Sequence, residues 1–143
     1  MRKVLVAFDG SEPSKRALDY AVDLWRNSIG SIVIHVLNVQ YGAIVYGDYL
    51  TQEMVDDVNN GLLSEAESVL EQARDILVAA DAPHETHAAL GVVAEQVNLA
   101  IKQLGCDTVV MGTRGLGSFG GLMLGSVANR VVHEISVPVI LVK

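Results

Sequence analysis

Short apolar runs alternate with longer segments of helical periodicity along the whole of this 143-residue chain. The runs are predicted strands, with the bounds 4–8, 31–39, 84–90, 107–111 and 138–142. Between them, hydrophobic residues recur three or four positions apart, which predicts four helices. The βαβαβαβαβ order predicts an α/β fold with a five-stranded parallel sheet and helices on both faces. We expect the Rossmann-like or flavodoxin-like strand order 3-2-1-4-5.

Local signals place several element boundaries. Ser11 is the predicted N-cap of the first helix. Gly105 lies where the third helix is expected to end. The second helix is predicted from about residue 53 to residue 80, and Gly61 is a candidate break within it. Residues 41–52 show no clear period, so we expect a loop or a short helical excursion there.

Length and composition indicate one globular domain, residues 1–143. Seventeen acidic residues against ten Lys and Arg give a net charge of −7, which disfavours binding to nucleic acid or to an anionic membrane. Cys106 is the single cysteine, so a reducing compartment is expected. The first apolar run is too short for a signal peptide or a membrane span. We therefore expect a cytoplasmic protein.

The fourth predicted strand leads into a glycine-containing loop and then into a helix that starts at Ser126. The loop contains Gly112, Gly115 and Gly125, and Arg114 adds a cation. Glycine lets the main chain approach an anion closely, and it tolerates positive φ. A helix N-terminus offers unpaired N–H groups at the positive end of its dipole. The pattern predicts a phosphate site in a small nucleotide-binding module, although the loop alone would also fit a flexible surface connection.

Other phosphate and nucleophile motifs fit the same segment poorly. Residues 115–120 match G-x-G-x-x-G, but a dinucleotide fold needs that string directly after a strand, with an acidic residue ending the next strand. A P-loop would require Gly-Lys-Ser/Thr, and no lysine precedes Ser126. The sequence contains no G-x-S-x-G nucleophile elbow.

Asp9 ends the first predicted strand, so it is expected at the same sheet edge as the glycine loop. Its alternative role is that of a turn-former or helix cap. As a ligand group, its carboxylate would accept hydrogen bonds from ribose hydroxyls or from the adenine amino group. Beside phosphates it would also suit a bound Mg²⁺.

The histidines and the cysteine give weaker signals. His84 and His87 are three positions apart on a predicted strand and so point to opposite faces, which disfavours a metal site between them. His35 lies within the second strand, where we expect a satisfied core residue. Cys106 is expected to be structural. The spacing suggests no Ser–His–Asp or paired-carboxylate arrangement, so no catalytic residue is assigned.

With these residues in view, the chain resembles the universal stress proteins of the UspA superfamily, ATP-binding type. The resemblance begins at residues 6–12 (VAFDGSE), continues through His35-Val36 and residues 107–112 (DTVVMG), and ends at residues 137–142 (VPVILV). Its most specific part is the family's nucleotide motif G-x2-G-x9-G-[S/T]. This sequence fills that motif without gap or substitution.

The resemblance implies which residues hold the ligand. In ATP-binding members, the first-strand aspartate and a valine backbone on the second strand hold adenine and ribose, and the glycine loop holds the phosphates. The matching positions here are Ala7, Phe8, Asp9, Val36, Met111, Gly112, Arg114, Gly115, Gly125, Ser126 and Val127. The implied cofactors are ATP and, bound through its phosphates, Mg²⁺.

The resemblance also implies a homodimer through the last strand, residues 138–142. An apolar edge strand without charges is a liability unless something covers it, and a symmetric partner would do so. The first hypothesis is therefore a homodimeric, ATP-binding stress-response module. The alternatives are a slow ATPase or nucleotidyl-transfer enzyme, or a family member that binds cyclic nucleotide or nothing.

Overall fold

The structure is a computed structural model that describes residues 1–41, 50–115 and 124–143. Strands and helices alternate through these residues in the predicted order. The strands are β1 (Lys3–Ala7), β2 (Val33–Gln40), β3 (His84–Leu90), β4 (Thr108–Gly112) and β5 (Val139–Val142). The helices are α1 (Glu12–Asn27), α2 (Gln52–Ala79), α3 (Val93–Leu104) and α4 (Ser126–Glu134).

The five strands form one parallel sheet in the order β3-β2-β1-β4-β5, which confirms the predicted fold class and strand order. β1 lies at the centre, with Val6 in register with Val36 on one side and with Val110 on the other. Both faces of a parallel sheet are normally covered, which is why its central strands read as unbroken apolar runs. Val6, Val36 and Val110 are all fully buried.

Helices cover both faces of the sheet because side chains alternate along each strand. On one face, Val4 and Val6 pack in a core with buried residues of α1 and α2, including Leu18 and Leu70. On the other face, Leu5 packs with residues of α3. Residues of α4 pack against Met111 on that second face, in a smaller cluster.

Capping follows the sequence signals. The Ser11 hydroxyl oxygen accepts a hydrogen bond from the Ser14 N–H at 3.3 Å, which confirms Ser11 as the N-cap of α1. Gly105 ends α3 in the left-handed conformation, with φ 69°. The candidate break at Gly61 was wrong, because α2 runs without interruption from Gln52 to Ala79. Tertiary packing of the apolar stripe outweighs the helix-propensity cost of one exposed glycine.

The expected loop or helical excursion at residues 41–52 can be compared with the structure only in part. Residues 42–49, most of that segment, lie outside the described residues.

Cys106 is buried, and burial raises the pKa of its thiol to about 11 although nearby Lys3 opposes the shift. The thiol therefore stays protonated at neutral pH, as a structural cysteine would. Within the described residues, no helix is both long and apolar enough to cross a bilayer.

Candidate functional site

A cavity of about 320 Å³ opens at the carboxyl ends of β1, β2 and β4. The first residues of α3 and α4 contribute to its walls. The described residues that line it are Ala7, Phe8, Asp9, Ser14, Leu37, Asn38, Val39, Val93, Met111, Gly112, Arg114, Gly115, Gly125, Ser126, Val127 and Ala128.

The winding of the sheet accounts for the position of this cavity. From β1 the chain builds outward through β2 to β3, and β4 then returns to the other side of β1 and is followed by β5. The connections on either side of this reversal leave the sheet in opposite directions, which opens a crevice beyond the carboxyl ends of β1 and β4. Asp9 follows β1 and Gly112 ends β4, so the fold brings the two turns together as predicted.

Gly112 allows β4 to approach the first turn of α1. A Cβ atom on Gly112 would lie 2.7 Å from the Cβ of Pro13 and 2.9 Å from its carbonyl carbon. Both atoms belong to a proline in a helical turn, so neither can move without moving α1 itself. Gly112 is thus required for packing as well as for lining the cavity.

Gly115 brings the backbone of the glycine loop against Asp9. A Cβ atom on Gly115 would lie 2.7 Å from Oδ2 of the Asp9 carboxylate. Oδ1 of Asp9 accepts a hydrogen bond from the Ser11 N–H at 2.9 Å, which holds the carboxylate at the start of α1. The Asp9 carboxylate and the backbone of Gly115 therefore lie next to each other in the wall of the cavity.

The N-terminus of α4 forms another part of the wall. Gly125 is the N-cap, and as a glycine it provides no side-chain capping hydrogen bond. The first N–H groups of a helix have no partner within it, and Ser126, Val127 and Ala128 all line the cavity. The first turn of α4 carries no acidic residue that would repel an anion. The Gly125 N–H donates to the Thr113 carbonyl at 2.6 Å, which ties the start of α4 to the end of β4.

None of the three motif glycines has a positive φ, so Gly112 and Gly115 act in this structure through close approach to Pro13 and Asp9. Among the described residues that line the cavity, Arg114 is the only cation and Asp9 the only anion. Arg114 is exposed and so remains mobile enough to adjust to a ligand. The arrangement suits an anion held by peptide N–H groups, with one adjustable positive side chain nearby.

The comparison with protein families decides the relationship of this chain. The model of the universal stress protein family matches residues 1–143. The chain belongs to the universal stress protein family. It is similar to universal stress protein YxiE of Bacillus subtilis (strain 168), with 32% identity over 147 residues that cover 99% of this chain and 98% of the relative.

Solved structures share the fold of this family member. The protein MJ0577 superposes with a TM-score of 0.86 at 22% identity, covering 99% of this chain and 95% of that one. A universal stress protein family protein from Arabidopsis thaliana with AMP bound has a TM-score of 0.70 at 22% identity, covering 100% of this chain and 92% of that one. A universal stress protein in complex with cAMP has a TM-score of 0.68 at 24% identity, covering 99% of this chain and 96% of that one. At these identities the similarity establishes the α/β fold.

The structure places the predicted binding residues of this family member at the cavity, with the exception of Val36. Val36 is fully buried and belongs to the core on the α1 and α2 face. Val39, three residues nearer the carboxyl end of β2, lines the cavity in its place. The two valines look alike in an apolar run. Only the register of β2 against β1, with Leu37 beside Ala7, shows which one reaches the edge.

Sequence reasoning also missed other residues of the wall, namely Ser14, Leu37, Asn38, Val93 and Ala128. Asn38 had a detectable signal, because it is a polar amide just before the end of an apolar strand. Its buried Nδ2 donates to the Phe8 carbonyl at 2.9 Å and so links the ends of β1 and β2. Residues 116–123, which include most of the G-x-G-x-x-G string at 115–120, lie outside the described residues.

Proposed function

We propose that this universal stress protein family member binds ATP with Mg²⁺ in the cavity and acts as a homodimeric regulatory module of the stress response in the cytoplasm. The observation that carries the proposal is the meeting of Gly115 with Asp9 beside the N-terminus of α4. A nucleotide needs hydrogen-bond acceptors for its sugar or base and donors for its phosphates. The Asp9 carboxylate would accept from the sugar or base, and the backbone N–H groups at the start of α4 would donate to phosphate.

The phosphates would bind at the start of α4 and along residues 112–115. Backbone N–H groups and the helix dipole stabilise an anion whatever the net charge of the protein, so the overall −7 does not oppose this. Arg114 would neutralise part of the phosphate charge. Asp9 is the only carboxylate among the described lining residues, so Mg²⁺ would be held mainly by the phosphates and water.

The base would occupy the apolar part of the wall. Ala7, Val39 and Met111 line the cavity from three adjacent strands, while the ring of Phe8 packs in the core on the opposite face of the sheet. Ligand pockets combine such apolar surface with a few polar groups, and this volume lies at the lower end of their usual range. The fold relatives with AMP and with cAMP bound support an adenine nucleotide as the ligand.

A binding role, with no catalytic residue assigned, agrees with the residues at hand. Phosphoryl transfer needs a metal, charge stabilisation and a positioned nucleophile or base. Among the described lining residues there is no histidine or lysine, and one carboxylate. A regulatory role would follow if the bound phosphates hold the glycine loop in one arrangement that a partner or the dimer interface recognises.

Calorimetric titration of the purified chain tests the proposal. We expect saturable binding of ATP–Mg²⁺, much tighter than that of adenosine, because the α4 N-terminus contributes only when phosphate is present. Ser126→Glu places a negative charge at the first residue of α4, where it stabilises a helix by about 0.3–1 kcal/mol but repels phosphate. We expect this variant to remain folded and to bind ATP at least about tenfold more weakly.

Gln52→Glu is the matched control, because Gln52 is the first residue of α2 and does not line the cavity. It should bind ATP as the unaltered chain does. Absence of saturable binding, or equal affinity of the two glutamate variants, would reject the proposed site. Preference for cAMP over ATP would favour the cyclic-nucleotide alternative. Turnover that is lost in Asp9→Ala while binding persists would favour an enzyme.

A further inference from the structure

Three potential metal ligands from two neighbouring strands lie together on the sheet, outside the cavity. They are His35 of β2 and Glu85 and His87 of β3. His35 is in register with Glu85, and the next β2 residue on the same face, Leu37, is in register with His87. Side chains two positions apart on a strand share a face, so all three project to the same side. None of the three lines the cavity.

The spacing of the ligand atoms is close to that of a metal site. Nδ1 of His35 lies 3.0 Å from Nε2 of His87 and 3.6 Å from Oε2 of Glu85. Nε2 of His87 and Oε2 of Glu85 are 3.8 Å apart. Metal–ligand bonds of about 2.0–2.1 Å in a tetrahedral site put ligand atoms about 3.3 Å from one another. To match this geometry the two imidazole nitrogens would separate by about 0.3 Å, and the Glu85 carboxylate oxygen would move inward by about half an ångström. Its side chain is 61% exposed and free to do so.

His35 is not the satisfied core residue that the sequence led us to expect. The residue is 4% exposed, and its Nε2 has no hydrogen-bond partner among the described residues. A buried polar nitrogen without a partner destabilises the folded state, whereas an aliphatic side chain at this position would carry no such cost. With the residues that the structure describes, the ring makes its polar contacts through Nδ1, toward His87 and Glu85.

The two rings also stack, with their centroids 5.3 Å apart and their planes at 29°. Burial lowers the pKa of His35, and the nearby Glu85 carboxylate only partly offsets this. The approach to the site is open, because His87 is 27% exposed and Glu85 more so.

We propose that His35, Glu85 and His87 bind a divalent transition-metal ion, and that Zn²⁺ is the ion that fits best. Two imidazoles and one carboxylate form a borderline ligand set, which suits zinc and its first-row neighbours better than Mg²⁺ or Ca²⁺. The fourth position is left to water. The ion would connect the edge strand β3 to β2 by bonds that do not depend on the nucleotide.

The same geometry sets the expected affinity. Metal-bound histidines usually donate their other N–H to a carboxylate or a carbonyl, and loss of such a partner weakens metal binding about 10–100-fold. Nε2 of His35 has no such partner among the described residues, so we expect a dissociation constant in the micromolar rather than the nanomolar range.

Metal binding by the full, tag-free and nucleotide-free chain tests the proposal. Calorimetric titration with Zn²⁺ should give one site per chain, and Co²⁺ should produce the intense visible absorption of a tetrahedral complex. His87→Ala should weaken Zn²⁺ binding at least about tenfold and abolish the cobalt spectrum. His87 is partly exposed, so its replacement leaves the core intact, unlike replacement of His35.

His84→Ala is the matched control, because His84 lies on the same strand but bonds the Ala82 carbonyl through Nδ1 at 2.7 Å. It should bind Zn²⁺ and Co²⁺ as the unaltered chain does. Absence of a stoichiometric site, or equal losses in His84→Ala and His87→Ala, would overturn the proposal and leave a hydrogen-bonded histidine pair. Neither outcome bears on ATP binding, which is measured separately.

Discussion

At the scale of single residues, the glycines that follow and end β4 differ in what surrounds them. Gly112 faces Pro13 of α1, which is fixed in a helix, whereas Gly115 faces Oδ2 at the end of the Asp9 side chain, at the wall of the cavity. Substitution at Gly112 therefore strains the fold, while substitution at Gly115 disturbs the cavity. The same motif thus contains one glycine that helix packing requires and one whose missing side chain leaves room at the cavity wall.

Gly112→Ala is expected to lower the free energy of unfolding by about 1–3 kcal/mol, the usual cost of overpacking a close contact. Gly30→Ala is the control, because a Cβ there meets nothing within 4 Å and φ is not positive. That control should be neutral or slightly stabilising. Urea unfolding followed by circular dichroism measures both. Equal stability of the two variants would show that β4 and α1 do not pack as tightly as described.

The residue scale is also where sequence reasoning reached its limit. Asp9, Gly112 and Ser126, which line the cavity, could be singled out in the sequence because each stands at or next to an element boundary with a distinctive residue type. Val36 was implied by the resemblance as a backbone contact and stays a prediction; its side chain is buried, and the strand register shows that Val39 is the valine of β2 that lines the cavity. The pairing of His35 with His87 joins residues far apart in sequence, which no local spacing reveals.

At the scale of elements, hydrophobic periodicity was sufficient for most of the fold. β3 has the predicted bounds, residues 84–90, and the other described elements begin and end within a few residues of those expected. Local propensity misled only at Gly61, which the periodicity of α2 overrides. The regular alternation of strands and helices predicted the parallel sheet, because parallel strands need crossover connections, whereas the strand order was taken from the known doubly wound folds.

The continuity of α2 gives a test at this scale. Gly61 is exposed, and a Cβ there would meet nothing within 4 Å. Gly61→Ala should therefore raise the free energy of unfolding by about 0.5–1 kcal/mol, because alanine loses less conformational entropy in a helix. The shift of the thermal midpoint measures this. A lower midpoint would mean that the chain departs from helical geometry at Gly61.

At the scale of the whole molecule, β5 is the edge of the sheet that carries the proposed dimer. The Pro138 carbonyl, just before β5, accepts a hydrogen bond from Val109 of β4, and the Val142 carbonyl accepts one from Thr113, just after β4. Because pairing directions alternate along a strand, the N–H of Leu141 points away from β4. Symmetric pairing of two such edges about a two-fold axis would give antiparallel strands across the interface.

Leu141→Pro removes that outward N–H without removing a bond to β4 and should convert a dimer into a monomer. Leu141→Ala shortens the side chain but keeps the N–H, so it should remain dimeric. Sedimentation velocity at micromolar concentration distinguishes the two. If the unaltered chain is a monomer, the proposed dimer is wrong. If the proline variant is still a dimer, the interface lies elsewhere than at β5.

The account depends most on peptide N–H groups at the start of α4 as the phosphate ligands. The most direct measurement is a ¹H–¹⁵N correlation spectrum of the chain during titration with ATP–Mg²⁺ and, separately, with adenosine. We predict that ATP moves the amide signals of Ser126, Val127 and Ala128 downfield and that adenosine leaves them in place. If ATP binds while these three signals stay unchanged, the central claim is contradicted.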